Sequence, residues 1–241
     1  MENGLNLKSN APTGDGLFGT LVQRFLALVY RIGNANGAHL SNEAALAQHA
    51  HALIAAYQEP HRHYHGAPHL QSCLEALDTF RKQPNPNADY SASALDGIEY
   101  ALFFHDAIYQ PEAKDNEQRS ADWAVAVLRA HLAPLLELTD QVHRLIMATR
   151  HHGGAPDSQT ALLLDIDLSI LAADAASFDA YDLGIRAEYH FVPQLDYKSA
   201  RAAILQRFLD APQIYHTPFF AGRTQAARAN LRRALASLQH T

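Results

Sequence analysis

Tyr100-Ala101-Leu102-Phe103-Phe104-His105-Asp106 decides how this chain is read. Leu95, Ile98 and Leu102 recur at helical spacing, so 92–107 is predicted as a helix whose apolar face runs directly into an imidazole and a carboxylate. A carboxylate in such a setting costs several kcal/mol unless it is paired or binds a metal. The same conflict recurs downstream, where Asp165 and Asp167 interrupt Leu162-Leu163-Leu164 and Ile166, Ile170, Leu171. Something cationic belongs among these acids: an arginine, a histidinium or a metal ion. The chain holds 15 histidines, and six of them (His49, His51, His61, His63, His65, His69) fall within 21 residues. That surplus favours the metal, because neutral imidazole is a common ligand and carboxylate completes the shell. Residues 165 and 167 lie on nearly opposite sides of a helix, so only one of them faces such a site.

Outward from these stretches the pattern stays helical. Further helices are predicted around Leu21, Phe25, Leu28 and Val29, over 41–58, from Pro68 through Leu70, Cys73, Leu74 and Leu77, and over 117–132 behind a capping-box-like Asp115-Asn116-Glu117-Gln118. Others are predicted at 137–150, 159–172, 177–191, 196–209 and 224–240. No period-2 strand and no repeat is evident. The expected architecture is one all-α domain over 17–241, preceded by a flexible tail over 1–16; its Gly14-Asp15-Gly16-Leu17-Phe18-Gly19 lacks the strand that a dinucleotide-binding G-x-G-x-x-G requires. Of the 241 residues 48% are apolar, no apolar run reaches about 18 residues, and the start carries no signal-like segment. A soluble, cytoplasmic protein without a membrane span is expected. With 19 basic and 25 acidic residues the net charge is −6, which disfavours nucleic-acid polymers but allows a small phosphorylated ligand. Cys73, the only cysteine, excludes a disulfide framework and reads as core packing.

Four groups of residues carry the chemistry: Tyr64-His65-x3-His69, Phe104-His105-Asp106, Thr149-Arg150-His151-His152 and Asp165-Ile166-Asp167-Leu168-Ser169. Their order, a His at a helix start, His-Asp closing the next helix and an Asp on a later one, resembles the HD superfamily of metal-dependent phosphohydrolases. Arg62-x-Tyr64-His65-x3-His69, Phe104-His105-Asp106-Ala107-x-Tyr109, Asp115-Asn116-Glu117-x2-Ser120-Ala121, Asp165-x-Asp167-Leu168-Ser169-Ile170-Leu171 and Ala227-Arg228-x-Asn230-Leu231 together resemble the bacterial family of predicted HD phosphohydrolases, over about residues 20–235.

The resemblance implies an HD-type helical bundle in which His69, His105, Asp106 and Asp167 are metal ligands, Asp167 being preferred to Asp165 for its Asp-Leu-Ser context. A further likeness to cyclic-nucleotide phosphodiesterases implies that His65 is a general acid, with Asp106 the other catalytic residue. Gly66 stands where both groups usually carry Asn, and the histidine that follows His-Asp in the phosphodiesterases is missing. Arg62, Lys114, Arg119 and Arg150 are candidate phosphate clamps. Glu117 and His152 are candidates to support the ligands from behind, while His49, His51, His61 and His63 are expected on the surface. The implied activity is hydrolysis of a phosphoester or phosphoanhydride in a small molecule, with a nucleotide favoured. One or two divalent ions (Mn, Fe, Co, Ni or Zn rather than Ca) would serve it. A di-iron oxygenase and a non-catalytic metal- or nucleotide-binding sensor are the alternatives, and a homo-oligomer is allowed.

Overall fold

Eleven α-helices and no strand make up the regular structure of the residues described by the computed structural model, 14–38, 40, 42–84, 88–132, 135–151 and 154–240. They run α1 Gly14–Ala35, α2 Glu43–Ala56, α3 Ala67–Arg81, α4 Ala92–Phe104, α5 Asn116–His131, α6 Leu136–Ala148, α7 Ser158–Asp167, α8 Ala175–Glu188, α9 Gln194–Asp210, α10 Pro218–Ala221 and α11 Thr224–His240. Short 3-10 turns occupy Ala88–Tyr90 and Leu168–Ala172. No helix is long and apolar enough to cross a membrane among these residues.

Helix α4 is the centre of the bundle. Every residue from Asp96 to Phe104 is buried, and α1, α3, α5, α6 and α7 all pack on it. Phe25 of α1 meets Phe103 and Phe104 edge-on at 5.2 and 5.8 Å, and Trp123 of α5 closes on Phe104 from another side. A helix enclosed on all faces has to bury its polar residues too. Asp96 and Glu99 are therefore matched by guanidinium groups. Arg24 and Arg31 of α1 reach Glu99 at 2.7 Å each, and Arg81 of α3 bridges Asp96 and Glu99 at 2.9 and 3.0 Å. These ion pairs fix the register of α1 and α3 against α4, the helix that delivers His105 and Asp106.

The helix ends show where local chemistry departs from the expected boundaries. α1 begins at Gly14, so Gly14, Asp15 and Gly16, expected in the tail, are helical. α4 stops at Phe104, three residues early, which puts Asp106 in the turn beyond it. Asp115 does sit at the N-cap of α5 but makes no cap hydrogen bond; Asn116 instead exchanges two bonds with the backbone of Gln110 and ties down the loop after His105-Asp106. The expected helix over 159–172 tightens into a 3-10 turn after Asp167. Asn230 of α11 donates to the carbonyls of Leu171 and Ala173 at the end of that turn. Arg228 donates to those of Leu209 and Ala211, so the late Arg-x-Asn pair anchors other segments. The four-residue helix α10 was not anticipated.

Asp157 caps α7 through the backbone N–H and hydroxyl of Thr160, both at 2.9 Å, and pairs with Arg144. Partial burial works against its ionisation, but the bonds from Thr160 and Arg144 outweigh it and hold the carboxyl below its usual range. A group depressed in this way stabilises the fold above its unfolded value of about 3.9, and the contribution is lost as pH falls through the folded value. Asp157→Ala is expected to cost about 1–2 kcal/mol at neutral pH, most of it the cap, since the ion pair is solvent-screened. The difference between the two proteins in thermal melts should shrink below about pH 4; an offset that stays constant down to pH 3 would overturn this account.

Candidate metal centre

His69 is the third residue of α3, after Gly66 at the N-cap and Pro68 in the first turn. A Cβ at Gly66 would lie 3.2 Å from the carbonyl oxygen of Tyr57, so a side chain in place of the glycine requires that backbone to give by a few tenths of an ångström. His105 caps the C-terminus of α4, and its Nδ1–H donates to the carbonyl of Leu102 at 2.8 Å. That bond fixes the tautomer and leaves the Nε2 lone pair pointing at the other donors. Asp167 ends α7.

These side chains converge. His69 Nε2 lies 3.2 Å from His105 Nε2, 3.2 Å from Asp167 Oδ1 and 3.7 Å from Asp106 Oδ2. His105 Nε2 lies 3.1 Å from Asp106 Oδ2 and 3.5 Å from Asp167 Oδ1. Ligands about 2.1 Å from a shared ion are separated by roughly 3.0 Å at right angles and roughly 3.4 Å at the tetrahedral angle, so the spacing fits a common cation. The electrostatics make the same demand. Burial disfavours a charged His105, yet Asp106 and Asp167 push its pKa well above the ordinary range, and the coupled Asp106 carboxyl is held far below its own. A proton on His105 thus offsets the two carboxylates. A buried group of imidazole and carboxylate donors that can hold a metal ion is therefore present, and the four ligands expected from the sequence are brought together.

Cys73 belongs to the same neighbourhood, with Sγ within 4.8 Å of the donor atoms of His69, His105 and Asp167. A ligand sulfur would lie beyond Nε2 and be far nearer to it than to Nδ1. Sγ is instead 3.7 Å from Nε2 and 3.8 Å from Nδ1, so it flanks the ring and holds its orientation.

Asp165 faces the opposite way, as its 200° offset from Asp167 requires. It is wholly buried and accepts from the backbone N–H groups of His216 and Thr217 and from the Thr217 hydroxyl, at 2.8, 2.7 and 2.6 Å. Its role is to hold the entry to α10.

Beside the cluster stands a second constellation, which the sequence reading missed. Glu188, the last residue of α8, is buried, and its Oε1 accepts the backbone N–H groups of His63, Tyr64 and His65 at 2.9, 2.7 and 2.8 Å. Its Oε2 accepts from His65 Nδ1 at 2.7 Å and from the Tyr109 hydroxyl at 2.9 Å. Burial alone would raise this carboxyl, but the bonds and charge of His65 and the loop N–H groups bring its pKa down to about 2. His65 is raised above its ordinary value, because Asp106, Glu188 and Asp167 outweigh its burial. Its Nδ1–H is held by Glu188 and its ring is stacked on that of Tyr109 at 4.3 Å. Glu188 was detectable: it follows Tyr181 and Ile185 at i+7 and i+3, an acid in phase with apolar positions.

The other expected residues are placed as follows. Arg62 is fully buried and donates to Glu59 and to the carbonyls of His65, Asp106 and Ala107, so its guanidinium ties together the two site loops instead of facing a ligand. Lys114, Arg119 and Arg150 are exposed; Arg119 lies 4.0 Å from Asp115, and Arg150 donates to the Lys114 carbonyl. Glu117 lies in the first turn of α5, where its charge acts on Tyr189, and His152 lies outside the described residues. His51 and His63 are exposed as expected. His49, half-buried, instead bonds His131 at 2.8 Å, and His61, also half-buried, bonds the Tyr109 carbonyl.

A cleft of about 1000 Å³ opens onto the cluster, and His69, Asp167, Tyr64, Tyr181, Ser177 and Arg223 are on its walls. Arg223, at the start of α11, lies over the Phe220 ring at 4.7 Å. Neither a family model nor a curated protein nor a solved structure matches the chain. Asp167→Ala should lose more metal affinity than the roughly 10- to 100-fold that removing an outer partner costs. Asp165→Asn and Cys73→Ala should keep the ion. Elemental analysis of the purified variants checks this, and equal loss in Asp167→Ala and Asp165→Asn would overturn the assignment.

Proposed function

We propose that the chain is an HD-type metal-dependent phosphohydrolase acting on a small phosphorylated molecule, with a nucleotide as the favoured substrate class. The observation that carries this reading is the juxtaposition of the four-donor cluster, two of whose residues (His69 and Asp167) line the cleft, with the His65–Glu188 pair, whose imidazole lies 5.9 Å from that of His69. Imidazole and carboxylate donors suit Mn, Fe, Co, Ni or Zn. A divalent ion held there supplies Lewis acidity and brings the pKa of a bound water towards 7.

The protein's own groups divide the remaining work. His69, His105, Asp106 and Asp167 hold the ion, and the bond from His105 to Leu102 keeps that imidazole aimed. His65 carries the proton for the leaving oxygen at Nε2, and Glu188 keeps the ring oriented and favours its protonated form. Arg223 takes the role first given to Arg62: its guanidinium has no carboxylate partner among the described residues and lines the cleft, where an anionic group can meet it. Tyr64 and Tyr181 offer aromatic surface to an organic portion of the substrate.

The test is phosphate release from a panel of nucleotides and phosphomonoesters by protein stripped of metal and reloaded with Mn, Co or Zn. Release from none of them with any of these ions would overturn the reading. His65→Ala is expected to lower turnover by roughly 10²–10⁴ while keeping the metal. The loss should shrink for a nitrophenyl ester, whose leaving group needs little protonation. Glu188→Gln should reproduce part of the loss with the metal retained, and a Glu188→Gln protein with wild-type turnover on every substrate would remove the acid role from the pair.

A further inference from the structure

Tyr64 lies between the two constellations, and the site as described gives its hydroxyl no task. Its backbone is fixed by the N–H bond to Glu188. Helix α8 comes so close that a Cβ at Gly184 would sit 3.1 Å from the Tyr64 Cβ. The ring is wedged at 4.7 Å from the ring of the ligand His69, 4.9 Å from that of His65 and 4.6 Å edge-on from that of Tyr181. This packing accounts for an aromatic residue at position 64, but a phenylalanine would fill the same space. The hydroxyl is unexplained by it: among the described residues the phenol oxygen has no hydrogen-bond partner, the residue is half-buried, and it lines the cleft. The ring packs against that of His69, one of the cluster's donors, and lines the same cleft as Asp167.

A hydroxyl carried on a ring packed against the imidazoles of His69 and His65 and lining the cleft can donate a hydrogen bond to an anion brought to the cluster. We infer that Tyr64 is a further catalytic residue whose phenol O–H donates to a phosphoryl oxygen of the substrate while the cluster holds that group. This inference rests on the phosphohydrolase reading. No bond is made or broken at the phenol; it remains protonated, and His65 supplies the proton that departs with the leaving group. Three directions of approach are thereby assigned: ligand donors beneath the phosphoryl group, His65 at the leaving oxygen and Tyr64 at a non-bridging oxygen. A donor to a charged acceptor in a partly buried site has an effect of roughly 10- to 100-fold on binding.

Tyr64→Phe removes the oxygen and keeps the packing. Wild-type and Tyr64→Phe proteins, both reloaded with Mn and matched by elemental analysis, are titrated calorimetrically with inorganic phosphate and compared in turnover. The expected result is equal metal content, a Kd for phosphate raised roughly 10-fold or more in Tyr64→Phe, and a comparable fall in kcat/KM. Wild-type protein that binds phosphate and a Tyr64→Phe protein that binds it equally well would overturn the role of Tyr64 and leave the phosphohydrolase reading standing. Wild-type protein that binds no phosphate and releases none from any substrate would overturn that reading, and the role of Tyr64 with it.

Discussion

Negative charge buried in an apolar helical bundle has to be matched, and the different ways in which this chain meets that requirement organise the molecule. Asp96 and Glu99, on the most enclosed helix, are matched by three guanidinium groups. Asp165 is matched by two backbone N–H groups and a hydroxyl at the entry to α10. Glu188 is matched by three consecutive loop N–H groups, a phenol and an imidazole. Asp106 and Asp167 face His69 and His105 at 3.1–3.7 Å. The first three sites are complete within the protein. The fourth could hold a metal ion, and it opens onto a cleft.

Two buried residues turn this charge distribution into a rigid site. Arg62 bonds carbonyls on both sides of the cluster, those of His65 and of Asp106 and Ala107, and lies over the Tyr57 and Tyr109 rings. Glu188 gathers the peptide groups of residues 63–65 from the far side of the loop. Between them they satisfy backbone groups of the two loops beside the cluster. Donor atoms held by packed helices and bonded loops keep their spacing without the ligand, the preorganisation that a metal site or an acid catalyst needs. The absence of a side chain at Gly66 is no weakness in this arrangement, because the loop is held by a carboxylate from α8.

Much of this was written in the sequence. Helical periodicity with few Gly and Pro located almost every helix, because each element buries one face and that face recurs every 3.6 residues. The cost of an acid in an apolar run singled out Asp106, Asp165 and Asp167, and the 200° separation required the last two to part company. What composition and spacing could not decide was partner choice. Arg62 reads as a free cation until the fold brings three carbonyls to it; Cys73 reads as core until it is found against the ring of His69. Glu188 lies 123 residues from His65 in sequence, and no local pattern reports a contact made by folding α8 back onto the α2–α3 loop. The sequence determined which groups must be compensated, since burial and its cost are properties of local pattern. Tertiary structure decided which group compensates which, since hydrogen bonds and ion pairs act over about 3 Å and only folding sets those distances.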